Sequence, residues 1–244
     1  MPTLRALACD VDGTITDRNR RVSLTAISAI RDLVGRGVEV VLASGNTPCF
    51  MDALARAFGT SGTIIAENGG AYRIGFSGEL VVLGDRSISH GAYQVVEEYY
   101  RKNGITLELF GDRYRFSDVA FARTVPVEEV KEVVAGLGVK VLDTGFAIHL
   151  QPEGISKGAA LRKLAADLGI PIGEFLAIGD SENDLEMIEA AGIGVAVKNA
   201  REEVKAAADY VAEKEDGDGF AGAVARHLPY FLDIEPDQGR NREK

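Results

Sequence analysis

Short apolar runs alternate with amphipathic stretches in the first and last thirds of the chain. The runs are typical of buried strands, and the stretches between them have the periodicity of helices. Alternation of strand and helix predicts an α/β fold with a parallel sheet. Strands are predicted at 4–9, 38–43, 63–66, 175–178, 193–197 and 210–211, and helices starting after Ser23 and at Pro48, Lys157, Asn183, Ala200 and Phe220.

The middle of the chain breaks this rhythm. A predicted hairpin near residues 72–83 precedes a segment in which consecutive strands neighbour each other, which favours a separate α+β module. We therefore predict core segments at 1–83 and 153–235 and an inserted module at 84–152. Its predicted helices lie at 88–101 and 127–136, and its strands at 105–110, 114–122, 139–142 and 146–151. The polar tail, 236–244, is expected to be disordered.

Composition narrows the classes of function. The 244 residues are 46% hydrophobic and carry a formal net charge of -10. This charge disfavours nucleic acid or an anionic membrane as a partner, because both require a cationic surface. We expect Cys9 and Cys49 to be reduced thiols in a cytoplasmic protein. No signal peptide is expected, since the first apolar run contains Arg5 and ends at Asp10.

Asp10 and Asp12 follow the first predicted strand, directly before Gly13. In open α/β sheets, ligands bind at the carboxyl ends of the strands. Two carboxylates this close repel each other unless a cation lies between them, and Mg²⁺ accepts carboxylates together with phosphate oxygens. The alternative is an acidic turn with no chemistry, because Asp-Gly is also a common turn sequence.

Four short segments together carry a family resemblance. They are Asp-Val-Asp-Gly-Thr at 10–14, Ala-Ser-Gly-Asn at 43–46, Ser-Lys-Gly at 156–158 and Gly-Asp-Ser-Glu-Asn-Asp at 179–184. In this order, each at a strand end or helix start, they resemble the motifs of the haloacid dehalogenase-like phosphatase superfamily. The resemblance implies a Rossmann-like parallel-sheet core with an inserted α+β cap domain.

The same resemblance assigns roles to the acidic residues. It makes Asp10 the nucleophile that forms an aspartyl-phosphate and Asp12 the general acid and base. Asp10, Asp12, Asp180 and Asp184 would hold Mg²⁺, with Asp12 contributing its main-chain carbonyl. Asp184 would bind directly or through water. Without the resemblance, residues 180–184 read as a capped helix start with acids that favour the helix dipole.

Ser44, Gly45, Asn46 and Lys157 are the predicted substrate-binding residues. Ser44 and the backbone beside it would meet phosphoryl oxygens at a strand-to-helix turn, which favours anions. Lys157 would supply a cation for the charge that develops on the phosphoryl group. The structural alternatives are a simple helix cap for Ser44 and a solvated side chain for Lys157.

Smaller sequence features indicate which substrate class the resemblance implies. The Ser-Gly-Asn variant, the short cap and Glu-Asn-Gly-Gly at 67–70 resemble the archaeal-type phosphoglycolate phosphatases, which implies 2-phosphoglycolate as substrate. Its carboxylate requires a cation in the cap, for which Arg113, Arg115, Arg123 and His149 are candidates. The alternation around His149 favours a half-buried structural histidine at least as strongly, and each arginine is expected to be a solvated surface charge rather than a ligand, so none of the four is assigned to the site.

Other functions remain open at this stage. A sugar- or polyol-phosphate phosphatase would use the same catalytic residues. A receiver-like switch phosphorylated on aspartate would not need Asp12, and a phosphotransferase would pass the phosphoryl group to an alcohol. In each case the expected partner is a small phosphorylated metabolite, with no nucleic acid or membrane, and the expected assembly is a monomer or homodimer.

Overall fold

The computed structural model describes residues 3–232, and the predicted disordered tail lies outside them. Within this range the core contains an eight-stranded sheet in the order β11-β10-β9-β1-β2-β3-β4-β5. Pairing is parallel from β11 to β3 and antiparallel at β4 and β5. The strands of the core are β1 Ala6–Asp10, β2 Glu39–Ala43, β3 Ile64–Ala66, β4 Ala71–Arg73, β5 Val81–Val82, β9 Phe175–Gly179, β10 Ile193–Ala196 and β11 Tyr210–Val211.

Helices cover both faces of this sheet because its central strands are apolar on both sides. Leu7 and Cys9 of β1 pack in one buried cluster, and Ala6 and Ala8 pack in the other. Such burial on both faces is characteristic of parallel sheets. The core helices are α1 Leu24–Gly35, α2 Pro48–Phe58, α5 Lys157–Leu168, α6 Leu185–Ala190, α7 Glu202–Ala207 and α8 Asp216–His227.

Local signals placed the first core helices correctly. The Ser23 hydroxyl accepts a hydrogen bond from the Ala26 backbone and caps α1. Pro48 occupies the first turn of α2, and Gly59 ends that helix with φ of 79°. Proline is tolerated at a helix start and glycine adopts positive φ without strain, so both boundaries follow from the sequence.

The inserted module is an α+β unit with its own apolar core. Two helices pack on a sheet that, within the described residues, has three strands in the order β6-β8-β7. This module follows β5 and precedes α5 in the chain, and we call it the cap. Its elements are α3 Arg86–Lys102, β6 Val119–Ala122, α4 Val127–Val133, β7 Val139–Asp143 and β8 Ala147–Pro152.

Two predicted cap strands differ from the structure. The segment 105–110 is not a regular strand, because only an isolated bridge joins Leu109 to Phe121 and the side chain of Ile105 is exposed. The strand predicted at 114–122 is formed only at Val119–Ala122. The first segment makes two backbone hydrogen bonds to β6, between Phe110 and Ala120 and between Ala122 and Glu108. In the second segment, the backbone of Phe116 and Ser117 donates to the Glu67 carboxylate instead of to a neighbouring strand.

No helix within residues 3–232 is long and apolar enough to cross a membrane.

Candidate active site

The central strands bring the predicted residues to one edge of the sheet. Asp10 ends β1, Ser44 follows β2 and Asp180 follows β9, and β1 lies between the other two strands. The turn after β1 depends on Gly13, which has a φ of 86°, and a Cβ there would lie 2.5 Å from Asp180 Oδ2. Glycine therefore allows the chain to pass directly beside the Asp180 carboxylate.

Three carboxylates form the centre of the site. Oxygen atoms of Asp10, Asp180 and Asp184 all lie within 4.8 Å of one another. Asp184 is fully buried, and its Oδ2 accepts backbone hydrogen bonds of 3.1 Å from both Asp180 and Ser181. Asp180 accepts a hydrogen bond of 3.4 Å from the Thr14 hydroxyl. The start of the helical segment thus fixes Asp184, while Asp180 faces the cavity more freely.

Lys157 joins this cluster from the first position of α5. Its Nζ donates to Asp10 Oδ1 at 2.5 Å and to Asp184 Oδ1 at 2.7 Å. Burial acts to lower the pKa of Lys157, but the Asp10 and Asp184 carboxylates raise it above its ordinary value. The side chain is therefore an ammonium ion fixed between two acids.

One ammonium does not balance three carboxylates. Burial raises the pKa of Asp10 well above its ordinary value, and the neighbouring Asp184 and Asp180 carboxylates contribute to this rise. Burial and Asp184 likewise raise the pKa of Asp180 to about 7. Asp10 Oδ2 is buried and has no hydrogen-bond partner in residues 3–232. An excess of negative charge and an all-oxygen donor set fit a divalent cation.

Asp12 lies beside this cluster and is held by the loop after β2. Asn46 Nδ2 donates to Asp12 Oδ2 at 3.0 Å, and the Ser44 hydroxyl donates to the same oxygen at 3.4 Å. Asn46 also contacts Ser44 Oγ through its backbone N–H and its side-chain amide. A Cβ on Gly45 would lie 2.9 Å from the Asn68 amide, so this position accommodates only glycine without rearrangement.

A cavity of about 470 Å³ opens onto Asp10 and Asp12. Core residues form its floor, and the cap covers it with Arg115, His149 and Phe146. A volume of this size is typical of small-molecule sites. The sheet edge and the cap therefore enclose one site between them.

This geometry agrees with the comparison of the chain with known families. The model for haloacid dehalogenase-like hydrolases matches residues 7–135 and 127–224, well over half of the chain. The chain belongs to the haloacid dehalogenase-like hydrolase family. The acid cluster and Lys157 lie within the matched residues, as does the cap.

Relatives in this family resemble the chain over nearly its whole length. A protein of Methanoculleus marisnigri named phosphoglycolate phosphatase is 55% identical over 94% of this chain and 99% of its own. One of the same name from Archaeoglobus fulgidus is 42% identical over 90% of this chain and 95% of its own. A solved structure from Thermoplasma acidophilum has 28% identity and a TM-score of 0.82, covering 93% of this chain and 99% of that one.

The structure brings every predicted site residue of this family member to the same sheet edge. Asp10, Asp180 and Asp184 form the acid cluster and Lys157 binds it. Asp12 lies beside the cluster and is contacted by the loop from Ser44 to Asn46. Asp10, Asp12, Gly45, Asn46 and Asp180 also line the cavity. Their placement matches the prediction, and the individual roles assigned to them stay predictions.

Two of the four candidate cap cations reach the cavity. Arg115 and His149 line it and are almost fully buried. Arg113 is exposed, and Arg123 binds Asp143 through its guanidinium at 2.9 Å. Asp118 distinguishes Arg115 and His149 from Arg113 and Arg123, because it contacts both of the buried side chains. Asp118 was not considered in the sequence analysis.

Glu67, which the sequence analysis noted only as part of Glu-Asn-Gly-Gly, joins the core to the cap next to the site. It follows β3 and is fully buried, and its carboxylate accepts hydrogen bonds from the backbone of Phe116, Ser117 and Asp118 in the cap. The Gln151 amide of the cap donates in return to the Glu67 carbonyl at 2.8 Å. We call these contacts the junction, because they join core to cap.

The junction continues to the acid cluster. Asn68 follows Glu67, and both residues adopt left-handed φ values, of 53° and 51°. Such values in residues other than glycine cost energy and persist only where surrounding contacts fix them. Here Asn183 donates to Asn68 Oδ1 at 2.8 Å, one residue before Asp184. The cap is thus linked through Glu67 and Asn68 to the segment that carries Asp184.

Proposed function

We propose that this chain is a Mg²⁺-dependent phosphatase that converts 2-phosphoglycolate to glycolate and phosphate through an aspartyl-phosphate on Asp10. One observation carries the proposal: Lys157 holds Asp10 Oδ1 while Oδ2 has no hydrogen-bond partner within residues 3–232. A carboxylate fixed on one oxygen and unpaired on the other, at the floor of the cavity, is arranged as a nucleophile.

In the first half of the reaction, Asp10 attacks the phosphorus and the bond from phosphorus to the ester oxygen breaks. Asp12 gives its proton to the departing alkoxide, which leaves as glycolate. Ser44 and Asn46 hold the Asp12 carboxyl for this transfer. Lys157 stabilises the negative charge that develops on the phosphoryl oxygens.

In the second half, water hydrolyses the aspartyl-phosphate. Asp12, now a carboxylate, takes a proton from the water as its oxygen attacks phosphorus, and the bond from phosphorus to Asp10 breaks. Phosphate leaves, and both side chains return to their starting states. A residue that serves first as acid and then as base contributes in both steps.

Asp10, Asp180 and Asp184, with the main-chain carbonyl of Asp12, would hold the Mg²⁺ ion. When bound, the ion supplies the positive charge that allows an anionic phosphate to approach a cluster of carboxylates. Asp180 is the freer ligand, because both oxygens of Asp184 already accept hydrogen bonds from Lys157 and the backbone.

The choice of substrate rests on the relatives, which bear the name phosphoglycolate phosphatase at 42% and 55% identity over most of the chain. A sugar phosphatase is the second candidate. It is favoured by the cavity, whose volume of about 470 Å³ exceeds what so small a substrate as 2-phosphoglycolate requires.

Phosphate release in the presence of Mg²⁺ tests the proposal. The panel contains 2-phosphoglycolate, glucose 6-phosphate and p-nitrophenyl phosphate, with Asp10→Asn as the inactive control. We expect a clear preference for 2-phosphoglycolate. Turnover of only the other two compounds would refute 2-phosphoglycolate as the substrate. No turnover, with a stable phosphorylated protein detected by mass, would favour a switch or phosphotransferase.

We also propose a cytoplasmic location, supported by the free thiols of Cys9 and Cys49. A small phosphorylated metabolite as the partner, without nucleic acid or membrane, follows from the negative net charge and the enclosed cavity. The assembly, monomer or homodimer, stays a prediction that sedimentation would decide.

A further inference from the structure

Three polar side chains of the cap form a buried chain above the cavity. Asp118 is fully buried and accepts a hydrogen bond of 2.6 Å from Arg115 Nη1 through one oxygen. Its other oxygen lies 2.8 Å from His149 Nδ1. Burial acts to raise the pKa of Asp118, but His149 and Arg115 hold it below its ordinary value. An ionised carboxylate therefore fixes both side chains in place.

Arg115 and His149 each keep one nitrogen without a hydrogen-bond partner. Arg115 Nε donates to the Phe110 carbonyl at 2.9 Å, and Nη1 is taken by Asp118 and Gly45. Neither Arg115 Nη2 nor His149 Nε2 has a hydrogen-bond partner within residues 3–232. Both side chains line the cavity that contains Asp10. These two nitrogens, held in place by one carboxylate, thus remain for a ligand, and Nε2 donates to it when the imidazole carries both of its N–H protons.

The position of Arg115 relates these donors to the phosphoryl site. Its Nη1 also donates to the Gly45 carbonyl at 3.2 Å. Gly45 follows Ser44, whose hydroxyl contacts Asp12. The guanidinium therefore directly contacts the loop that is expected to bind the phosphoryl group. A second anionic group must sit close to the phosphate to reach it.

The other basic residues that line the cavity, Arg20 and Arg201, are exposed and already make contacts. Arg20 stacks on the Phe146 ring at 3.6 Å, and Arg201 is largely exposed and pairs with Glu182 at 3.5 Å. Asp143 is bound by the guanidinium of Arg123. These contacts leave Arg115 and His149 as the buried basic side chains that line the described part of the cavity.

We propose that Arg115 and His149 bind the carboxylate of the substrate and so determine its specificity. The substrate class is a phosphate ester of a short hydroxy acid, in which one carbon separates the ester oxygen from the carboxylate. A planar carboxylate matches two fixed N–H donors, which a sugar hydroxyl does not. The proposal rests on the proposed function and adds the residues that choose the substrate.

His149→Asn is the discriminating variant. The asparagine amide can still donate to Asp118 in place of Nδ1, but it removes Nε2 from the cavity. Loss of one hydrogen bond to a charged group predicts a fall in kcat/KM for 2-phosphoglycolate of about 10- to 100-fold, mainly through KM. Ethyl phosphate has a similar length but no carboxylate, and its kcat/KM should change by less than about threefold.

Two control variants complete the design. His149→Gln can place an amide donor where Nε2 was, and it should recover part of the lost KM effect. Arg113→Gln changes an exposed arginine of the same cap and should leave both substrates unaffected. Thermal melting by circular dichroism shows whether each variant is folded.

The outcomes separate this proposal from the proposed function. Equal losses for 2-phosphoglycolate and ethyl phosphate, or no loss for either, would overturn the carboxylate site while phosphatase activity stood. If the wild type hydrolysed neither substrate, calorimetry of 2-phosphoglycolate binding in the Asp10→Asn background would still decide. There, His149→Asn should weaken binding by about tenfold or more, and unchanged binding would refute the proposal.

Discussion

Replacing Glu67 with glutamine removes one ionisable group from the junction while keeping the size of the side chain. Two effects compete on this carboxyl. Burial raises its pKa and the Asp118 carboxylate adds to the rise, while the backbone N–H groups of residues 116–118 lower it. Burial prevails, and the pKa of Glu67 rises from 4.5 to about 7.

The sign of the stability effect follows from this rise. The folded protein holds the Glu67 proton more tightly than the unfolded chain does, so ionising the group costs stability. The stability that the protonated Glu67 side chain contributes is fully present below pH 4.5 and is lost as the pH rises through about 7. A pKa change of this size corresponds to about 3 kcal/mol. Relative to Glu67→Gln, the wild type should therefore lose up to about 3 kcal/mol of unfolding free energy across this window.

Urea unfolding followed by circular dichroism, with a chelator present throughout, measures this difference at acidic and at mildly alkaline pH. Glu153→Gln, at an exposed position of the same connection between cap and core, is the matched control and should give a curve parallel to the wild type. A parallel curve for Glu67→Gln would refute the reasoning. A wild type that gained stability over the variant with rising pH would show that the amide hydrogen bonds outweigh burial.

Three further predictions concern the site and its surroundings. Asp12→Asn should lower kcat by about 10²- to 10⁴-fold in a phosphate-release assay, because it removes the general acid and base; a change of only a few fold would contradict that role. Excess chelator should abolish phosphate release, and added Mg²⁺ should restore it. Full activity in the presence of chelator would contradict a role for Mg²⁺ in the reaction. Gly69→Ala should lower the melting temperature, because residue 69 has a φ of 98° and a Cβ there would lie 2.1 Å from the Ser156 carbonyl oxygen. Gly91→Ala, in helix α3 with open space around it, should instead stabilise the protein by about 0.5–1 kcal/mol. Equal melting temperatures for these two glycine variants would contradict the packing argument.

The core and its acid cluster were predictable from the sequence because their signals are local. The apolar runs of the central strands end at Asp10, Ala43 and Gly179, and the carboxyl ends of parallel strands share one edge of a sheet. Helix starts at Pro48 and Lys157 were correct for similar reasons, since proline and a capping serine mark them. The family motifs added the identity of the residues at this edge.

The cap was less predictable because distant residues determine its backbone. Residues 114–117 alternate apolar and polar side chains as a strand does. However, Glu67 accepts the backbone N–H groups of Phe116, Ser117 and Asp118 that a sheet would have used. Local periodicity carries no information about an acceptor some 50 positions earlier. The same limit hid Asp118, whose importance is visible only when Arg115 and His149 lie on either side of it.

The insertion of the cap has a consequence for the order in which the protein is built during translation. On one side β1 pairs with β2, which emerges soon after it, but on the other side it pairs with β9, where Ala6 lies opposite Phe175. One edge of β1 must therefore stay unpaired until most of the chain has left the ribosome, and long-range strand pairing is slow to form. The cap, whose strands and helices are close in sequence, can form its own core in the meantime. Asp180 and Asp184 complete the acid cluster last, so a nascent chain that already contains Asp10 still lacks two of the three carboxylates of the cluster.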